Sequence, residues 1–246
     1  MDHATTAQRL STLLSLRHPP VALAFTDAPP EGVPQASKPV PSSCTFWRQA
    51  EQGTFYATAA QHFNCPVGSM VMGFEMPADV SEQLGGLVQM MCDASYLSME
   101  EAAKIPSTGK NSAGILYGPL HDFPADPDVV LMWVNVAQAM LYSEAAGRAA
   151  WTSTPMTVSG RPGCAAIPLA MRDNQPGMSL GCAGMRTFTE IGDDETLAAV
   201  PGAGLEEFVD ALAATVESNK GMRDFYSAHK ASIGLSRQSA KTASIG

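Results

Sequence analysis

The sequence predicts a single compact α/β or α+β domain over residues 1–235, with two pseudo-repeated halves around a central mixed sheet and a flexible tail over 236–246. Three observations carry this. The apolar runs Val21–Phe25 and Val129–Val134 are each followed by helical periodicity and then a glycine, Gly53 or Gly147. Cys65, in His62-Phe63-Asn64-Cys65-Pro66-Val67-Gly68, and Cys164, in Gly160-Arg161-Pro162-Gly163-Cys164-Ala165-Ala166, occupy matching positions beyond those units. A chain of 246 residues, 45% hydrophobic and 16% charged, is long and apolar enough to bury a sizeable core. The halves span about 18–125 and 126–235.

Taken in order, residues Ala7–Leu16 alternate at helical spacing until His18-Pro19-Pro20 breaks the helix before the strand Val21–Phe25. Asp27–Ser43 is rich in Pro, Gly and Ser and reads as a long surface loop of the kind that carries function. A helix follows from Thr45, with Phe46, Trp47 and Ala50 on its apolar face and Gly53 as its stop. Thr54–Ala57 is a short strand leading towards Cys65, and helices are predicted over Val67–Phe74 and Val80–Met91. Gly114–Pro119 reads as an apolar strand ended by a turn, mirrored by Thr196–Gly202. In the second half the strand Val129–Val134 precedes a helix over Ala137–Ala146, and a Pro/Gly/Ser/Thr stretch leads to Cys164. Ser179–Arg186 reads as a strand entering a glycine-flanked turn, and two helices, Leu205–Val216 and Met222–Ala231, complete the domain.

Charge removes several function classes. A net charge of −9 with no basic cluster argues against a nucleic-acid partner, whose phosphates demand grouped Lys and Arg. No apolar run approaches the roughly 18 to 20 residues that cross a bilayer, and Met1–Pro19 lacks the pattern of a signal peptide, so a cytoplasmic protein without membrane contact is expected. GxGxxG after a strand, the Walker A loop, the GxSxG elbow and HExxH are all absent, which removes the usual support for nucleotide-fold, esterase and metalloprotease readings.

The remaining signal is sulfur. Cys44 and Cys65 lie about twenty residues apart, as do Cys164 and Cys182, and Gly or Pro flanks three of the four. Such turns leave backbone N–H groups free to bond a thiolate or an inorganic sulfide, and four thiolates suit zinc or an iron–sulfur cluster. No CxxC pair supports the reading, and free cysteine is also a small, commonly buried hydrophobe, the reading preferred for Cys92. Fourteen methionines raise a Cu(I) alternative, but Met70, Met72 and Met76 fall in a segment where core filling explains them. Arg186, four residues beyond Cys182, could lower a thiol pKa and hold an anion, or simply pair with Glu190, Asp193 or Asp194. His62 and His121 are candidate general bases or loop caps.

The succession Pro20-Val21-Ala22-Leu23, Cys44, Gly53–Thr58, Cys65 with Gly68, Asp126–Leu131 and Leu180–Arg186 resembles the bacterial and archaeal family called domain of unknown function 169, from about Leu10 to Leu205. The resemblance implies cysteines at the positions of Cys44, Cys65, Cys164 and Cys182, setting Cys92 apart; it implies no activity. The family's usual Ser is Met185 here, and its basic residue after the second cysteine is Pro66.

The expectation is therefore a cysteine-ligated metallocluster protein, preferably iron–sulfur, with Cys44, Cys65, Cys164 and Cys182 converging where the halves meet. Cys182, Arg186 and His62 are its candidate catalytic residues. An oxidoreductase or lyase acting on a small, anionic molecule would follow, with a homo-oligomer or an electron-transfer partner. The alternatives are a metal-free enzyme using Cys65 or Cys182 as nucleophile, and a non-catalytic module with zinc or no metal that binds a partner through Asp27–Ser43 and has no pocket.

Overall fold

Alternation within the strands decides the architecture. In β1 (Val21–Thr26) Val21 and Leu23 point to one face of the sheet and Ala22 and Ala24 to the other; in β4 (Val129–Asn135) Val129, Leu131 and Trp133 oppose Val130, Met132 and Val134. Side chains on a strand alternate with a period of two, so a run apolar at every position must be covered on both faces. The computed structural model, which describes residues 2–148 and 157–232, is accordingly a three-layer α/β domain. Its sheet has seven strands among the described residues, in the order β2-β3-β1-β4-β7-β6-β5. The further strands are β2 (Phe55–Thr58), β3 (Gly114–Pro119), β5 (Thr157–Ser159), β6 (Gly177–Ser179) and β7 (Glu195–Pro201). Neighbours pair antiparallel except β5 and β6, so the sheet is mixed. The first half of the chain contributes three strands and the second four, with β1 and β4 adjacent at the centre.

One face packs against α1 (His3–Leu14), α6 (Val136–Arg148) and α9 (Leu205–Ser232), through Leu10, Leu14, Tyr142, Phe208, Val209 and Leu212. The Tyr142 hydroxyl donates to the carbonyls of Gly177 at 3.0 Å and Ala199 at 2.8 Å, fastening α6 to the sheet. The other face carries four short helices: α2 (Thr45–Gln49), α3 (Pro66–Met72), α7 (Ala166–Asp173) and α8 (Ala183–Thr189). Two more, α4 (Ala78–Asp93) and α5 (Met99–Ala103), lie outside that layer; Val80 is the one buried residue of α4, and α5 has none.

Three predicted details change. The two C-terminal helices are one, since α9 runs through Gly221, and every residue from Lys220 to Ala231 is exposed. Gly147 likewise lies inside α6 rather than closing it. The stretch before Cys164 is not all loop: β5 adds a parallel edge strand. The tail predicted from Ser236 lies outside the described residues. Among the described residues no helix is long and apolar enough to cross a membrane.

Candidate functional site

All four family-position cysteines start helices on the same face of the sheet. Cys44 precedes α2, Cys65 precedes α3 with Pro66 as its first residue, Cys182 precedes α8, and Cys164 sits in a 3-10 turn that runs directly into α7. The first turn of a helix leaves N–H groups without intrahelical acceptors, and sulfur can use them. Cys182 does so, its Sγ accepting from the Met185 amide at 3.4 Å.

Folding brings the four together. Cys44, Cys65, Cys164 and Cys182 line one cavity of about 800 Å³. The Ser42 hydroxyl lies 3.1 Å from Cys44 Sγ and donates to Cys65 Sγ at 3.6 Å, which links the two first-half sulfurs. Gly68 permits this closeness: a Cβ there would meet Ser43 Oγ at 2.6 Å and Cys65 Sγ at 2.9 Å. Burial pushes the Cys44 thiol up to about 12, with Ser42 opposing and the Cys65 and Cys182 sulfurs adding to the rise. Cys164 keeps some surface as a residue, yet burial lifts its thiol well above the ordinary range, and the other three sulfurs raise it further. Each thiol thus stands in the electrostatic reach of its neighbours. Among the described residues no three His, Cys, Asp or Glu side chains are grouped so as to hold a metal ion, so the thiols form an open set around the cavity and not a closed tetrahedron. Cys92, on α4, does not line the cavity.

The candidate catalytic side chains other than Cys182 lie elsewhere. His62 is fully buried among Phe46, Phe74 and Tyr117 and does not line the cavity. Its Nδ1 lies 2.7 Å from the Thr58 carbonyl, which can only accept, so Nδ1 carries the proton and Nε2 accepts from the Tyr117 hydroxyl at 2.9 Å. Burial lowers its pKa to about 4, the Thr58 hydrogen bond offsetting part of the effect, and the imidazole is neutral. Tyr117 is held far above its usual pKa by burial, then by Cys164 and Cys44, so its hydroxyl stays neutral and donates to His62. His121 is exposed beside Asp122 and away from the cavity.

Arg186 is spent on the backbone. Its guanidinium donates to the carbonyls of Leu180 at 2.7 Å, Glu195 at 3.0 Å and Gly192 at 3.4 Å. None of its predicted carboxylate partners takes this role, and Arg186 does not line the cavity. It organises the loops on either side of α8, while Gly181, at a φ of +89°, makes the left-handed turn that presents Cys182.

Sequence reasoning missed the cations that do line the cavity, Lys104, Arg161 and Arg172. Arg161 was visible three residues before Cys164 but carries no motif. Most of the remaining wall is apolar or aromatic, including Trp47, Leu87, Val88, Met91, Tyr96 and Phe188, with Ser42, Ser43, Asn64, Glu101 and Ser159 as its other polar side chains.

A family described as DUF169, uncharacterised ArCR, matches residues 9–211 of the chain. An uncharacterised protein of Methanocaldococcus jannaschii is 26% identical over 224 residues, which cover 84% of this chain and 91% of that protein. No solved structure matches.

Proposed function

This chain belongs to the domain of unknown function 169 family, whose description carries no activity, and we propose from the site that it is an iron–sulfur protein with a redox role towards a small molecule. The observation that carries the proposal is the meeting of Cys44, Cys65, Cys164 and Cys182, drawn from four helix starts in both halves of the chain, on one cavity. Ligand sulfurs stand about 6 to 7 Å apart around a cubane cluster and about 4 Å apart around zinc, and among the described residues no group is gathered closely enough to hold a single metal ion. A structural zinc module needs no cavity of about 800 Å³ beside its ligands, which weighs against the partner-binding alternative.

When bound, such a cluster supplies one-electron transfer to a molecule in the adjoining cavity. The chain's own residues prepare the place. Ser42 and the Met185 amide hydrogen-bond three of the sulfurs between them. Burial of Cys44 and Cys164 disfavours their free thiolates, so a cluster would have to displace those protons as it bound. Arg186 holds the Cys182 turn in register.

A second reading rests on Cys182 alone. Its sulfur starts α8, accepts a backbone N–H and lines the cavity, where a thiol can attack a bound electrophile without metal. Anaerobic purification separates the two. Iron and acid-labile sulfide with broad absorbance near ~400 nm support the cluster; a colourless, iron-free protein alkylated fastest at Cys182 supports the nucleophile and overturns the cluster.

A further inference from the structure

The outer wall of the cavity is a helical hairpin with almost no core of its own. Leu84, Leu87, Val88 and Met91 recur along α4 at helical spacing, each only half-buried, and three of them face the cavity. An apolar stripe of this kind normally closes on a core; this one closes on space. The hairpin is tied back at one place. Arg161, just before Cys164, stacks over the Tyr96 ring at 4.7 Å and donates to Glu101 at 3.4 Å, and the Ala183 amide donates to the Tyr96 hydroxyl at 3.4 Å.

Charge at the cavity runs against that of the chain. The net charge is −9, yet the ionisable groups of Lys, Arg, Asp and Glu that line the cavity are Lys104, Arg161, Arg172 and one carboxylate, Glu101. Arg172 is bound bidentately by Asp173 and Lys104 by Glu100. Arg161 has one described hydrogen bond, to Glu101, from a guanidinium with five N–H donors. A fork of that kind takes a carboxylate or another planar anion in two parallel bonds.

We infer that the cavity binds a small molecule with an apolar body and one anionic end, the body against Leu87, Val88, Met91 and Phe188, the anion on Arg161 in the place Glu101 now holds. The volume is in the range of sites that enclose small ligands. Glu101 then acts as a latch: it holds the hairpin to Arg161 and yields when the ligand's anion takes the guanidinium. Nothing in this depends on what the thiols hold.

The test uses the full chain, with anilinonaphthalene sulfonate as a fluorescent apolar anion and octanoate and octanol as competitors. Octanoate is expected to displace the probe at about tenfold lower concentration than octanol, the effect of one charge-assisted contact. Arg161→Gln removes that preference. Glu101→Gln, whose amide oxygen still caps the Ser98 amide, strengthens octanoate several-fold and leaves octanol unchanged, while Leu87→Asp weakens both. Equal displacement by octanoate and octanol in the wild type overturns the inference, as does a preference that survives Arg161→Gln or probe binding that ignores Leu87→Asp. Melting temperatures of the variants, matched to wild type, separate these effects from unfolding. Iron content, measured on the same samples, reports separately on the cluster.

Discussion

Cys44 and Cys65 share a hydroxyl: Ser42 Oγ sits 3.1 Å from one sulfur and donates to the other at 3.6 Å. The end of the long loop Asp27–Ser43 therefore belongs to the sulfur site and is not merely a connection. For the proposed cluster, Ser42→Ala is expected to weaken iron retention about tenfold, the usual cost of removing a partner of a metal ligand. Competition with a ferrous chelator measures it. Replacing Cys44, Cys65, Cys164 or Cys182 singly by Ser should cost more, whereas Cys92→Ser, on α4 and off the cavity wall, should leave iron and sulfide unchanged.

At Gly68, α3 lies directly against Ser43 of the Cys44 loop. An added methyl would collide with Ser43 Oγ and Cys65 Sγ, so Gly68→Ala should push Cys65 out of the set. A stability loss of about 1–3 kcal/mol is expected from overpacking, read from urea unfolding. Iron content should fall in the folded fraction, which a merely global destabilisation would not produce.

Acid should act through His62. The folded protein keeps the imidazole neutral down to about 4, whereas in the unfolded chain it protonates near its ordinary 6.5. The unfolded state binds more protons between those values, so His62's contribution is complete above 6.5 and is lost as pH falls towards 4, by about 3 kcal/mol. His62→Phe alone would strand the buried Tyr117 hydroxyl, a cost of about 1–3 kcal/mol. The comparison is therefore between wild type and His62→Phe/Tyr117→Phe, whose stability should depend less on pH across that window.

Arg186→Gln tests the scaffold of the Cys182 turn. The guanidinium satisfies three carbonyls from two loops, and its removal should cost about 2–4 kcal/mol, given typical hydrogen bonds to charged groups. Urea unfolding gives the loss. Octanoate binding to the folded variant should persist, because Arg186 does not line the cavity.

The central strands were legible because β1 and β4 are apolar at consecutive positions, a pattern that only a sheet covered on both faces explains. The cysteines were legible through their glycine and proline neighbours, which became the turns that begin α3, α7 and α8. Other parts were not. The sequence reads as two helices separated between Val216 and Met222, but α9 continues through Gly221, where an added Cβ would meet open space. β5 is three residues long and takes its strand form from pairing with β6, a long-range contact that Thr157, Val158 and Ser159 do not announce. Leu84, Leu87, Val88 and Met91 mark an amphipathic helix either way; periodicity does not say whether its stripe meets core or cavity. Arg186 follows Cys182 closely in sequence, yet its side chain turns towards Glu195 and Gly192.

Because Cys44 and Cys65 precede β3 while Cys164 and Cys182 come after β4, no fragment leaving the ribosome can display the whole sulfur set before Cys182 itself has emerged. Even then Arg186, which braces the Cys182 turn, donates to the carbonyls of Gly192 and Glu195, which are translated later still. The four thiols are thereby gathered only after β7 has joined the sheet, and a product terminated before it would carry cysteines with nothing to assemble them.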